Sequence, residues 1–180
     1  MNDKVLFAGF GGQGILAVGK ILAEAAVEND LKVSWLPSYG PEMRGGTCNC
    51  MVVLGKDPVL SPYFIRPTVA LILNEASMVR YLDDMTGARV VVVNSSLVDL
   101  TPEMREKLKD VYLVEVPATD IAIELGTVKC ANVVALGAYI KHSSDLSLDQ
   151  IKKSVAHKFA KKPAMVDLNL KALEMGYERA

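Results

Sequence analysis

The sequence predicts a three-layer α/β/α domain with a largely parallel or mixed sheet and a Rossmann-like first strand–turn–helix unit. Three observations lead to this fold class. Short apolar runs recur through the first two thirds of the chain, and helical patterns separate most of them. The final third is helical. No linker, internal repeat or low-complexity segment interrupts the 180 residues, so we expect a single domain over 1–180.

Composition narrows the functional class. Hydrophobic residues make up 51% of the chain and the formal net charge is −1, which gives no support to a nucleic-acid partner. The first ten residues lack the apolar core of a signal peptide, and no apolar run reaches the roughly 18 residues that span a bilayer. We therefore expect a cytoplasmic protein without a membrane partner.

The first predicted unit contains a glycine-rich turn. Residues 5–8 form an apolar run typical of a buried strand, and a helical pattern begins at Ile15. Between them, Gly9, Gly11 and Gly14 match G-x-G-x-x-G. A turn of this kind directs free backbone N–H groups and the helix dipole outward. The pattern predicts an anion-binding turn, and a purely structural turn remains the alternative.

Binding of NAD would need a further residue. In a dinucleotide site an acidic residue ends the second strand, about 20 residues further on, and holds the ribose hydroxyls. Here the second strand is predicted over 32–36 and "PSYG" follows it, whereas Asp30 precedes it. Gly12 and Gln13 fill the variable positions of the turn with a flexible residue and an amide. The sequence does not favour NAD.

The next strands are predicted from apolar runs. "KVSWLP" and "TCNCMVVL" are joined by a connection too short for a helical crossover, so we expect them to be antiparallel or to lie in a locally mixed sheet. Three further strands are predicted at "TVALILN", "ARVVVVN" and "VYLVEVP".

Helices are predicted from periodicity and capping residues. One covers 75–82, and another covers 102–109 with Thr101 as its N-cap. Asn132 is expected to cap a third. Ser147 and Gln150 predict a capping box for a fourth, which Pro163 stops. The last helix is predicted over 169–175, closed by Gly176.

The three cysteines raise the question of a metal site. Cys48 and Cys50 alternate along a predicted strand and share one face, and only Cys130 lies elsewhere. An iron–sulfur cluster usually takes four thiolates, and neither histidine has ligand-like spacing to a cysteine. We expect small buried side chains in a reducing compartment and no metal.

The segment "LPSYGPEMRGGTCN" is the most informative one chemically. Prolines stiffen it and glycines open conformations that other residues avoid. Arg44 beside two glycines offers a guanidinium fork and bare amides to a carboxylate or phosphate. Tyr39, Glu42 and Thr47 add polar groups. The alternative is a tight structural turn with a solvated Glu42 and Arg44.

Three motifs in order carry a family resemblance: "GFGGQGI", "PSYGPEMRGGT" and "CANVVALGA". With them, and with the closing "NLKALEMGYE", the chain resembles over nearly its whole length the gamma subunit of the 2-oxoacid:ferredoxin oxidoreductases. The glycine turn alone would not distinguish this family from others, but its combination with "YGPEMRGG" is specific for the family.

The resemblance implies a function. Such enzymes decarboxylate a 2-oxoacid on thiamine diphosphate, pass electrons through iron–sulfur clusters to ferredoxin and form an acyl-CoA. It implies that alpha and beta parts hold thiamine diphosphate, that ferredoxin-like parts hold the clusters, and that this chain holds no cofactor alone but helps shape the coenzyme A side. A homodimer of the isolated chain is also expected.

The resemblance ranks 2-oxoglutarate first as substrate, then branched-chain 2-oxoacids, with pyruvate and indolepyruvate also open. Rival hypotheses are a stand-alone module that binds NAD, FAD or a phosphate, and a subunit that only scaffolds the others. No residue is expected to be a catalytic nucleophile or base. The residues expected to contact a ligand or a partner chain are Gly9, Gly11, Gly12, Gln13, Gly14, Ser38, Tyr39, Gly40, Glu42, Arg44, Gly45, Gly46, Thr47 and Asn132.

Overall fold

A six-stranded mixed sheet forms the centre of the protein. The computed structural model describes residues 2–38 and 47–180. The strands are β1 (Asp3–Phe10), β2 (Lys32–Pro37), β3 (Thr47–Gly55), β4 (Val69–Ile72), β5 (Val90–Asn94) and β6 (Tyr112–Val116). Their order is β2-β3-β1-β4-β5-β6. β3 is antiparallel to both β1 and β2, and the β1, β4, β5 and β6 pairs are parallel.

Helices cover both faces of the sheet. They are α1 (Ile15–Glu28), α2 (Glu75–Tyr81), α3 (Pro102–Lys107), α4 (Ala118–Glu124), α5 (Ala131–Ile140), α6 (Leu148–Phe159) and α7 (Pro163–Glu178). One apolar core joins the sheet to α1, α4, α5, α6 and α7, and a second joins its other face to α2 and α3. This arrangement confirms the predicted α/β/α fold with a mixed sheet. None of the helices described is long and apolar enough to cross a membrane.

Several local signals are confirmed. The Thr101 hydroxyl accepts a hydrogen bond from the Met104 N–H and caps α3. Ser147 and Gln150 form both hydrogen bonds of the predicted capping box at the start of α6. These interactions join residues three positions apart, so they are readable from local sequence.

The start of α5 differs from the prediction. Asn132 is its second residue rather than its N-cap, because a 3₁₀ turn over Val128–Cys130 leads into the helix and Cys130 takes the capping position. Every residue from Asn132 to Ile140 is buried. The helix lies between the sheet and α7, so its apolar residues surround it instead of forming one stripe.

The C-terminal helix is longer than predicted. Pro163 follows the end of α6, as expected, and is also the first residue of α7, where its missing N–H has no intrahelical partner to lose. Gly176 does not close this helix but lies within it. The space beside Gly176 is filled by the Val134 carbonyl of α5, with which an added Cβ would collide. The short α4 was not predicted at all.

Candidate functional site

The sheet has a topological switch point at the carboxyl ends of β1 and β4. These two strands are parallel neighbours. α1, which follows β1, packs on one face of the sheet, whereas α2, which follows β4, packs on the other. Ligands of open α/β sheets bind in the crevice that such a divergence opens. The predicted glycine turn lies at this point.

The backbone of the turn needs glycine at two positions. Gly12 has φ 99° and Gly14 has φ 73°, both in the left-handed region. The Gln13 N–H donates to the Phe10 carbonyl at 3.1 Å, which closes the turn. Gly14 then caps α1 without a side-chain hydrogen bond. The first N–H groups of α1 have no intrahelical partner and lie at this edge of the sheet, and anion-binding turns use such groups.

The Gln13 side chain ties the two diverging strands together. Its Oε1 accepts hydrogen bonds from the Phe10 N–H at 2.6 Å and from Asn74 Nδ2 at 3.2 Å. Its Nε2 donates to the Leu73 carbonyl at 3.3 Å. Both polar ends of the amide are thus engaged by the protein, so Gln13 positions the turn across the crevice.

Asn132 reaches the same turn from α5. Its Nδ2 donates to the Gly14 carbonyl at 2.9 Å, and its Oδ1 accepts from the Val133 N–H. A Cβ at Gly14 would collide with Asn132 Nδ2. The first and third sequence motifs of the chain therefore meet at one hydrogen bond, and Gly14 is needed for space as well as for φ.

Two further amides at this edge were not among the predicted site residues. Asn74 follows β4 and caps α2 by accepting from the Ser77 N–H. Asn94 ends β5 and donates to the Leu73 carbonyl and to the Thr119 hydroxyl. The feature of the sequence that indicates these two residues is an asparagine at the end of each of two apolar runs. A polar side chain at the carboxyl end of a buried strand points to this edge.

The second predicted motif begins and ends beside the glycine turn. Thr47 pairs with Phe10, and the Ser38 N–H donates to the Asn49 carbonyl at 3.0 Å on the outer side of β3. The flanks of the connection from β2 to β3 thus lie at the carboxyl end of β1. The remaining predicted residues of this motif, which are Tyr39, Gly40, Glu42, Arg44, Gly45 and Gly46, lie outside the described residues.

The cysteines are buried, as predicted. Cys48 and Cys50 lie in the apolar core on the α1 face, and Cys130 lies in the same core. Burial raises the pKa of the Cys50 thiol to about 12 and raises the pKa of the Cys48 and Cys130 thiols as well. At neutral pH these groups are protonated and poor nucleophiles. Among the described residues, no three His, Cys, Asp or Glu side chains form a group that could hold a metal ion.

Comparison with known proteins shows to which protein family this chain is related. Residues 4–179 match the family described as pyruvate ferredoxin/flavodoxin oxidoreductase. Ketoisovalerate oxidoreductase subunit VorA of Methanothermobacter thermautotrophicus is 36% identical over 178 residues. The match covers 98% of this chain but only 36% of that relative. 2-Oxoglutarate synthase subunit KorC of Methanocaldococcus jannaschii is 35% identical, with 100% and 95% of the two chains covered.

Solved structures have the same fold. The gamma subunit of a keto/oxoacid ferredoxin oxidoreductase from Geobacter sulfurreducens is 30% identical with a TM-score of 0.82, over 99% of this chain and 98% of that one. A 2-oxoglutarate:ferredoxin oxidoreductase from Magnetococcus marinus gives a TM-score of 0.88 at 25% identity, over 99% of this chain and 31% of that one. The resemblance stated from the sequence is confirmed: the chain belongs to the pyruvate ferredoxin/flavodoxin oxidoreductase family.

Proposed function

We propose that this chain is the gamma subunit of a 2-oxoacid:ferredoxin oxidoreductase. Such a complex oxidatively decarboxylates a 2-oxoacid, forms an acyl-CoA and CO₂, and transfers two electrons to ferredoxin. The observation that carries the proposal is the carboxyl edge of the sheet. There the glycine turn of residues 9–14 lies beside both flanks of the connection that contains "YGPEMRGG".

In the complex, this edge contributes to the coenzyme A side. Coenzyme A carries phosphate groups, and the outward N–H groups of the glycine turn and of the start of α1 fit such an anion. Gly12 is exposed, and no atom of residues 2–38 or 47–180 lies within 4 Å of a Cβ added there. Arg44, in the adjoining connection, supplies a guanidinium fork for phosphate or carboxylate. When bound, coenzyme A supplies the thiol that takes up the acyl group.

The other cofactors are assigned to partner chains. Alpha and beta subunits hold thiamine diphosphate, and a ferredoxin-like subunit holds the iron–sulfur clusters. This assignment accords with the cysteine count, because the sequence has three cysteines and an iron–sulfur cluster usually takes four thiolates. The gamma chain is accordingly a non-autonomous part of the enzyme, and its place is the cytoplasm with the other subunits.

The substrate is a 2-oxoacid. The form "SYGPEMRGG" favours 2-oxoglutarate, and the similarity to a KorC subunit of matching length supports it. A branched-chain 2-oxoacid is the next candidate, because a ketoisovalerate oxidoreductase subunit is as similar to this chain over 178 residues as the KorC subunit is. The pyruvate and indolepyruvate enzymes contain the same gamma domain, so these two 2-oxoacids are the remaining candidates.

Reconstitution tests this proposal. We expect the purified chain alone to show no oxidation of any 2-oxoacid, because the proposal assigns thiamine diphosphate and the iron–sulfur clusters to partner chains. Adding the alpha, beta and ferredoxin-like subunits should give coenzyme A-dependent reduction of ferredoxin, measured by absorbance. The matched control contains those three subunits without this chain. Turnover by the isolated chain, or full coenzyme A-dependent turnover in the control, would refute the assignment.

A further inference from the structure

The Asn74 side chain joins two segments that leave the sheet toward opposite faces. Its Oδ1 accepts a hydrogen bond from the Ser77 N–H at 2.8 Å and so caps α2. Its Nδ2 donates to Gln13 Oε1, on the glycine turn, at 3.2 Å. Asn74 is only 2% exposed. One buried amide therefore links the start of α2, which follows β4, to the turn that follows β1.

Capping of α2 does not by itself require an amide at this position. Serine and aspartate are N-caps as good as asparagine, because the cap needs only an acceptor oxygen. The contact with Gln13 Oε1 needs a donor as well, and a carboxylate has none. An asparagine supplies both from one planar group. The second hydrogen bond of Asn74 therefore accounts for the amide, and it points to a role beyond the helix.

The β4 side of this contact is held firmly. The Leu73 carbonyl accepts hydrogen bonds from Gln13 Nε2 and from Asn94 Nδ2, each at 3.3 Å, and the Leu73 N–H donates to the Ala8 carbonyl at 2.9 Å. Asn94 is fully buried, and its Oδ1 accepts from the Thr119 N–H at 3.2 Å. Gln13 is thus bonded to a peptide group that is fixed from β1 and from β5.

The turn, in contrast, has little intrinsic rigidity. Four of its residues 9–14 are glycine, which has the largest backbone freedom of any residue. Gln13 restrains it twice: its N–H donates to the Phe10 carbonyl at 3.1 Å, and its Oε1 accepts from the Phe10 N–H at 2.6 Å. Because Oε1 also accepts from Asn74, the group that closes the turn is itself oriented by Asn74.

We propose that Asn74 is a positioning residue for coenzyme A, which acts through Gln13 on the glycine turn. This inference rests on the proposed function, which places a phosphate group of coenzyme A at the turn. An anion there needs the N–H groups of the turn in one arrangement. Loss of the Asn74 hydrogen bond lowers the fraction of molecules in that arrangement, and the apparent dissociation constant rises as that fraction falls.

Asn74→Ser separates the two roles of this side chain. Serine keeps the cap of α2, but it has no amide N–H₂ to donate to Gln13. Asn74→Asp would keep the cap too, but its charge would itself repel an anion at the turn, so serine is the better test. The net contribution of one neutral hydrogen bond corresponds to about a two- to tenfold change in an equilibrium constant.

Hydrogen exchange of the full-length chain, without any ligand, gives the first readout. We expect the Phe10 and Gln13 amides to exchange about two- to tenfold faster in Asn74→Ser, because both close the turn. Thr101→Ser is the matched control, since it places serine at the N-cap of α3 instead. It should leave the exchange of both amides unchanged.

Calorimetric titration of the assembled complex with coenzyme A, in the absence of 2-oxoacid, gives the second readout. Asn74→Ser should raise the dissociation constant about two- to tenfold and leave kcat at saturating coenzyme A unchanged. Gln13→Ala removes all three side-chain hydrogen bonds of Gln13, so it should raise the dissociation constant further. In the Gln13→Ala background, Asn74→Ser should have no additional effect, because Asn74 acts through Gln13.

The outcomes distinguish this inference from the proposed function. A wild-type complex without coenzyme A-dependent turnover would overturn the proposed function, and this inference with it. With an active wild-type complex, three results would overturn the inference alone. These are a wild-type dissociation constant in Asn74→Ser, an equal effect of Asn74→Ser with and without Gln13, and a lower kcat with an unchanged dissociation constant.

Discussion

Gly12 and Gly14 have left-handed backbone conformations for different reasons. At Gly14 the backbone φ is 73°, which is unfavourable for a residue with a side chain, and an added Cβ would also collide with Asn132 Nδ2. At Gly12, with φ 99°, no atom of the described residues lies within 4 Å of an added Cβ. Gly14 is therefore needed by the fold, whereas the open space at Gly12 is available to a ligand that approaches the backbone closely. This difference separates a structural glycine from a candidate binding glycine within one motif.

Gly12→Ala tests that difference in the assembled complex. The methyl group would lie over the turn and keep an anion from the N–H groups. Loss of a hydrogen bond to a charged group costs about 1.5–3 kcal/mol, so we expect the KM for coenzyme A to rise about ten- to a hundredfold. Steady-state kinetics at saturating 2-oxoacid measures it.

Gly126→Ala is the matched control for this change. Gly126 also has a positive φ, 94°, and no described atom lies within 4 Å of an added Cβ, but Gly126 lies after α4. Both variants should lose about 1–2 kcal/mol of folding free energy from the same backbone strain. Only Gly12→Ala should change the KM for coenzyme A. An equal KM in both variants would mean that the turn binds no part of coenzyme A.

At the scale of the elements, local pattern predicted the strands better than the helix ends. The apolar runs located all six described strands, because a buried strand is a short continuous signal. α4 was missed: only seven residues long, it follows β6 after Pro117 with no side-chain cap. Asn132 and Gly176 were misread as terminal signals because their partners, Gly14 and Val134, are distant in sequence. Tertiary contacts of this kind have no local signature.

Gly176→Ala should destabilise the protein. In a helix interior alanine is favoured over glycine by about 1 kcal/mol. Here the added Cβ would collide with the Val134 carbonyl, a backbone group that cannot rotate away. Because overpacking costs about 1–3 kcal/mol, we expect a net loss of up to about 2 kcal/mol in the free energy of unfolding. Urea denaturation of the full chain, followed by circular dichroism, measures it.

Gly87→Ala provides the comparison for that experiment. Within the described part of the chain, no atom lies within 4 Å of a Cβ at Gly87, and the φ of Gly87 is not in the left-handed region. Alanine there should leave stability unchanged or raise it by about 0.4–1 kcal/mol. If Gly176→Ala were as stable as Gly87→Ala, the close approach of α5 and α7 would not depend on glycine.

At the scale of the whole molecule, the motifs of the candidate site can be recognised in the sequence, but which of them come together depends on the order of the strands. The glycine turn and the flanks of "PSYGPEMRGGT" were recognisable as motifs, and the sheet brings both to one edge. The hydrogen bonds from Asn74 to Gln13 and from Asn94 to the Thr119 hydroxyl could not be predicted from sequence, because each joins elements that are separated in the chain. Their alignment depends on the parallel order β1-β4-β5, which apolar periodicity does not specify.

The same strand order predicts that the isolated chain does not bind NAD or NADP. In a dinucleotide-binding sheet the acidic residue that holds the ribose ends the strand next to β1. Here β3 lies between β1 and β2 and runs antiparallel to both, and Asp30 precedes β2 at the opposite edge from the glycine turn. Calorimetric titration with either nucleotide should give no saturable heat at sub-millimolar concentration. Repeating the titration with Gly12→Ala identifies any heat that arises at the turn. Saturable binding to the wild type that this variant abolishes would show that the turn accepts a dinucleotide without the acidic residue, and would favour a nucleotide-binding module over the proposed subunit.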